Sequence, residues 1–251
     1  MHEFGIAMAV FFSLFVSVMI GMRLRAMLPD HHLSTETKDA VRLGMASIAT
    51  MAALVLGLLV TSTKNKYDAE KGEVVQMGAK IVCLDQCLAN YGADSAPARQ
   101  VLRRALQSAV ARMWRISPNG TALAEPSEIW AQTLPRSIID LSPADDAQRA
   151  IKAQAASLAN DLAQMRWLLF QQSESSISAP LLVIMVFWLA LTFMSVGIFA
   201  PSNSTVIISQ MLAALSISGA VFLILELDQP SSGLVRIANA PFANALSHLA
   251  K

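Results

Sequence analysis

Residues 43–63 read LGMASIATMAALVLGLLVTST, and residues 64–91 continue as KNKYDAEKGEVVQMGAKIVCLDQCLANY. The first stretch holds no Lys, Arg, Asp or Glu. At 1.5 Å per residue, about 20 residues cross a hydrocarbon core of about 30 Å, so this stretch is long enough to span a bilayer. A helix on a soluble core would carry a charged stripe, and none is present. Nothing between Thr61 and Lys71 breaks a helix, so the sequence predicts one helix that leaves the membrane and runs on into water. There Val74, Met77, Ile81, Leu84, Leu88 and Tyr91 recur at alternating steps of three and four, an apolar seam for packing against other helices.

Three more uncharged runs lie outward from this one: Phe4–Met22, Ile177 up to the break at Ala200–Ser204, and Thr205–Leu225 beyond it. Two runs at each end thus bracket Lys64–Ser178, which carries 13 Lys/Arg and 12 Asp/Glu. The whole chain has 251 residues, is 54% hydrophobic and bears a net charge of +1. Its mean hydropathy is +0.48. No basic field is available for nucleic acid, and the lipid bilayer is the partner the composition demands. The fold expected is all-α: a polytopic membrane protein with four transmembrane helices and a helical soluble domain inserted between the second and third. Residues 1–63 hold transmembrane helices 1 and 2, 64–176 the helical soluble stalk, 177–228 transmembrane helices 3 and 4, and 229–251 a short amphipathic tail that suits a membrane surface. Arg23 and Arg25 follow the first apolar run instead of preceding it, and no small-residue cleavage pattern comes after, so that run reads as a retained helix.

Local signals subdivide the soluble segment. Ser34 or Thr35 caps the helix leading into the second span, with Glu36 and Asp39 in its first turns. Gly92 and Asp94–Pro97 mark a stop and a new start. Leu102, Leu106, Ala109, Met113 and Ile116 then repeat the seam spacing. A turn at Ser117–Gly120 precedes a loop-rich stretch through Asp140. Ser142 is the expected cap of the next helix, with Pro143 at its first position and Asp145 at its third. Along that helix Ile151, Ala155, Leu158, Leu162, Met165 and Leu169 form a third seam, and Pro180 is a candidate kink where it enters the third span. Such seams join helices into a bundle within one subunit, between subunits, or both, and a non-conducting membrane scaffold or accessory subunit whose stalk binds a partner protein is the alternative to a pore.

The residues that carry chemistry are few. Ser47, Thr50, Leu54, Gly57 and Thr61 share one face of the second span. Hydroxyls and a glycine on an otherwise apolar helix suit the wall of a narrow wet path. The same small residues also allow close helix packing. Glu226 and Asp228 stand at the mouth of the fourth span, where an oligomer would gather them into acidic rings; a solvated helix end is the alternative. No charge lies inside any span, which argues against pumps and ion-coupled transporters. Cys83 and Cys87, four apart on one helix, lack a second ligand pair and read as small packing residues. Asp30-His31-His32 reads as a polar loop. No nucleophile elbow, zinc-peptidase, P-loop or dinucleotide motif occurs, so no enzyme, metal or cofactor is expected. The positive-inside rule is divided, with Arg23, Arg25, Lys38 and Arg42 on one side against Lys64, Lys66, Lys71, Lys80, Arg166 and Arg236 on the other.

Three stretches carry a resemblance: Gly57-Leu-Leu-Val-Thr-Ser-Thr63 with Tyr67-Asp-Ala-Glu70, Phe187–Pro201 (FWLALTFMSVGIFAP), and Leu225–Arg236 (LELDQPSSGLVR). Together they resemble the uncharacterised bacterial bestrophin-like domain family over nearly the whole chain, with a distant likeness to bestrophins. Bestrophins are pentameric channels with four membrane helices per subunit, a cytosolic helical domain and a pore lined by the second span. The resemblance therefore implies a homo-oligomer in a bacterial inner membrane, a cytoplasmic soluble segment and an ion pathway along Leu43–Thr63. It does not extend to calcium gating, because no acidic cluster here matches the calcium clasp of animal bestrophins.

Overall fold

A computed structural model describes residues 2–29, 34–114, 132–174, 179–201, 203–228, 237–238 and 240–249. The Asp30-His31-His32 loop, the Ser117–Gly120 turn, the link at 175–178 and most of the Leu225–Arg236 motif lie outside the described residues. The α-helices, in chain order, are α1 (His2–Met27), α2 (Thr35–Tyr91), α3 (Ala96–Trp114), α4 (Leu134–Ile139), α5 (Asp146–Glu174), α6 (Ala179–Phe199), α7 (Ser204–Asp228) and α8 (Ala240–Leu249). Among the described residues there is no strand. Four helices contain segments long and apolar enough to cross a membrane: Glu3–Met27, Thr35–Tyr91, Pro180–Phe199 and Ser204–Asp228.

The chain divides into two compact units, Met1–Asn65 with Ser176–Asp228, and Lys66–Ser175 with Gln229–Lys251. Helix α2 contributes its first part to one and its remainder to the other, as one uninterrupted element of 57 residues. Ser34 supplies its cap: the Thr37 N–H donates to Ser34 Oγ at 3.3 Å. Its far end is set by Gly92, whose φ of +113° is a conformation that side chains with a Cβ rarely adopt. Ser95 Oγ then donates to the carbonyls of Leu88 and of Gly92, closing the turn into α3.

In the apolar unit, α1 lies against α6 and α7. Lipid is as apolar as leucine, so helices here associate through close packing and hydrogen bonds. Gly21 and Gly197 supply the close approach. A Cβ on Gly21 would sit 2.2 Å from the Met194 carbonyl oxygen, and one on Gly197 would sit 2.4 Å from that of Val18. Ser218 Oγ donates to the Ala7 carbonyl at 2.7 Å, joining α7 to α1 inside the packing. Val10, Leu14, Val18, Met185 and Val221 fill the space between. Pro180 falls in the first turn of α6, where its missing N–H has no intrahelical role, and the entry before it, where a kink was expected, lies outside the described residues. Asn203 Oδ1 accepts from the Val206 N–H at 3.0 Å and starts α7.

The second unit is a helical bundle whose core is built from the three seams. Every residue from Val74 to Tyr91 in the α2 seam is buried, as are Leu102 and Leu106 of α3 and Ala155, Leu162 and Leu169 of α5. The seams are thus consumed against one another within a single chain. Asp85 receives Arg99 in a two-pronged contact, Nε–Oδ1 2.7 Å and Nη2–Oδ2 2.9 Å, tying α3 to α2. That contact holds the Arg99 guanidinium above its ordinary pKa. Lys80 Nζ meets Asp161 Oδ2 at 2.5 Å between α2 and α5.

Three local expectations need correction. The stretch read as loop before Asp140 contains α4, whose Leu134 and Ile138 are fully buried in the bundle core. Its last carbonyls are held from α5, where Lys152 Nζ donates to Ile139 O at 2.6 Å and to Leu141 O at 2.7 Å. Helix α5 begins three residues later than Ser142-Pro143 suggested. Asp145 Oδ1 accepts the Gln148 N–H at 2.6 Å, and Gln148 Oε1 accepts the Ala144 N–H at 2.8 Å, close to a capping box. The amphipathic tail forms α8, and its apolar face is used inside the bundle: Phe242, Ala245 and Leu249 join the core. Pro241 meets α2 at Gly78, where a Cβ would lie 3.0 Å from the proline ring.

Candidate functional site: the open face of the second helix

The first part of α2 has two unlike sides. Ala52, Leu59 and Thr63 are buried, Ala52 to 1% exposure, and Leu59 joins the core formed with α1, α6 and α7. On the other side Ser47, Thr50, Leu54, Gly57 and Thr61 are all exposed, Leu54 to 66%, and a Cβ on Gly57 would meet nothing within 4 Å. All five residues singled out in the sequence thus lie on one open stripe. The chain's own packing accounts for the opposite side and leaves this one bare.

The hydroxyls on the stripe are self-satisfied. Thr50 Oγ1 donates to Ala46 O at 2.8 Å, Thr61 Oγ1 to Gly57 O at 2.8 Å, and Ser47 Oγ to Leu43 O at 3.3 Å. Each proton returns to the carbonyl four residues earlier, so no donor is stranded, and the oxygen lone pairs remain for water or a cation. Leu43, Met51 and Leu58 are exposed beside the stripe. Sequence reasoning passed over them because leucine and methionine are ordinary in any apolar span.

The acidic pair at the end of α7 is divided. Glu226 is buried, at 6% exposure, while Asp228 is half-buried. Among the described residues, no group of three His, Cys, Asp or Glu side chains is placed to hold a metal. Cys83 is exposed and Cys87 half-buried; burial, and secondarily Cys83, push the Cys87 thiol above its usual pKa, away from thiolate reactivity.

The model of the Bestrophin-like domain matches residues 10–242, from early in α1 to the start of α8. The chain belongs to the Bestrophin-like domain family. No curated protein and no solved structure matches it. A Bestrophin-like domain is associated with channel-like membrane proteins, not with enzymes. The apolar helices suit embedding in a membrane. The match takes in the open stripe of α2, both residues of the glycine crossing, and the bundle.

Proposed function

We propose that this Bestrophin-like protein is one subunit of a passive, homo-oligomeric ion pore in which the open stripe of α2 lines the pathway. The observation that carries the reading is the asymmetry of α2: Ala52 and Leu59 face the chain's own core, while Ser47, Thr50, Leu54, Gly57 and Thr61 face nothing within it. Intermittent hydroxyls between leucines suit a narrow pore that wets without a fixed charge. The absence of Lys, Arg, Asp and Glu from residues 43–63 leaves no group to couple ion movement to protons or voltage. In this reading four spans cross the inner membrane of a bacterium, with residues 64–176 on the cytoplasmic side. Asp228, the more accessible of the acidic pair, is then the candidate for a mouth. Purified oligomer in planar bilayers passes current, and Thr50→Trp lowers it severalfold by filling the path. Silent bilayers containing verified oligomer, across several salts, contradict the proposal.

A further inference from the structure

A groove of about 260 Å³ opens between the beginning of α2 and the end of α6. Met45, Ala46 and Ala49 form one wall, and Val196 and Phe199 the other, with Thr192 and Ser195 between them. The alanines create the space, since leucines at 46 and 49 would fill it. The Thr192 hydroxyl is already spent on the Trp188 carbonyl at 3.0 Å. A water needs two to four polar partners to stay in a cavity, and these walls are mostly methyl and ring carbon. Both helices contain segments long and apolar enough to cross a membrane, so the groove suits a hydrocarbon chain.

The rim is cationic. Arg42 lines it, and its guanidinium is 71% exposed, with a loose 3.9 Å contact to an equally exposed Asp39. An exposed pair of that kind contributes little and yields readily to a better ligand. Ala200, on the same rim, has its carbonyl held by Arg25 Nη1, which sets a second guanidinium beside the opening. Arg25 and Arg42 flank residues 26–41, the connection between the first two spans, where the apolar runs give way to charge. Guanidinium matches a phosphate through paired N–H donors.

From this joint chemistry we infer that the groove binds an anionic phospholipid, one acyl chain lying between α2 and α6 and the phosphate on Arg42. Arg25 supplies the supporting charge. Ala49 lies on the flank of α2 between the core side and the open stripe, and exposed Ala46 lies at the stripe's edge, one turn before Thr50. The binding is independent of whether the stripe conducts.

Full-length protein in mild detergent, titrated with phosphatidylglycerol or with phosphatidylcholine of the same chains and observed by native mass spectrometry, tests the site. Phosphatidylglycerol is expected to be retained about fivefold better, the worth of one charge at a membrane surface. Arg42→Gln abolishes that preference, and Ala46→Trp, which fills the groove and keeps the charge, lowers retention of both lipids. Soluble glycerol phosphate does not displace the bound lipid, because it lacks the chain. Arg104→Gln, on the exposed side of α3, changes nothing. Melting curves confirm folding, and Ala49→Leu replaces Ala46→Trp if the larger residue disrupts the helix pair. Equal retention of the two lipids, or a preference that survives Arg42→Gln, overturns the inference, as does retention untouched by filling the groove.

Discussion

The two parts of α2 expose opposite kinds of surface. Over residues 43–63 the helix leaves Leu43, Leu54 and Leu58 bare and buries only Ala52, Leu59 and Thr63. Over residues 66–91 it buries every residue of its seam and exposes charged and polar ones such as Lys71 and Asp68. The difference is one of solvent. In water each buried leucine contributes about 1.5–3 kcal/mol, so the apolar face turns inward. In lipid that gain vanishes, an exposed leucine costs nothing, and what decides the packing is how closely backbones approach. One helix therefore obeys two rules, and the change falls where charge returns after the apolar run, at Lys64.

The contrast is most sharply tested by removing the same side chain in each environment. Leu84→Ala, at a fully buried seam position, should destabilise the bundle by about 2–5 kcal/mol. Leu54→Ala, on the open stripe, should stay within about 0.5 kcal/mol. Chemical unfolding in detergent, followed by circular dichroism, compares the two. Equal effects would mean that α2 is packed alike along its length.

A second, smaller effect reverses the substitution. Gly197→Ala places a methyl where the Val18 carbonyl stands, forces α1 and α6 apart, and should cost about 1–3 kcal/mol. Gly57→Ala meets nothing and should be neutral or slightly stabilising, since alanine is the better helix former. Thermal melting of the two variants side by side would show whether close approach governs the apolar unit. If Gly197→Ala melts like the wild type, the crossing is looser than described.

The smallest effect lies at the far end of α2. Tyr91 is buried, and its hydroxyl makes no hydrogen bond among the described residues. Burial, with Asp94 and Asp145 nearby, raises its pKa above the usual 10.0. The folded chain therefore holds this proton more tightly than the unfolded one. Stability is unaffected below pH 10 and falls as the pH rises beyond it, because the unfolded phenol ionises first. Tyr91→Phe should leave neutral-pH stability nearly unchanged and should extend resistance to alkaline unfolding. A variant no more alkali-resistant than the wild type would remove Tyr91 from the account.

Much of this was legible because the signals are local. The uncharged runs, the lack of any helix breaker from Thr61 to Lys71, the Ser34 cap and the Gly92 stop each report on their own few residues. The seams were legible as well, and so was the shared face of Ser47, Thr50, Leu54, Gly57 and Thr61, since spacing alone sets which residues share a helix face; that this face is open was not, because small residues suit close packing equally. Tertiary partners were not. Helix α4 is only six residues long and carries Pro135, so it stands through Leu134 and Ile138 in the core and the Lys152 cap, none of them visible in its own sequence. The α8 pattern suits a membrane surface and a bundle face equally, and only its tertiary contacts distinguish them: Phe242, Ala245 and Leu249 in the core and Pro241 against Gly78. The groove was invisible for a related reason: Ala46 and Ala49 create space only because Val196 and Phe199 stand opposite.

Whether the bare face of α2 meets the ion path decides whether this protein is a pore. Thr50→Cys, Gly57→Cys and Leu59→Cys, each on a Cys83→Ser/Cys87→Ser background, can be recorded in planar bilayers while a charged methanethiosulfonate reagent is added. Current should fall for Thr50→Cys and Gly57→Cys and hold steady for Leu59→Cys, whose position is packed into the core. Current that is indifferent to the reagent at positions 50 and 57, or that falls only at 59, would contradict it.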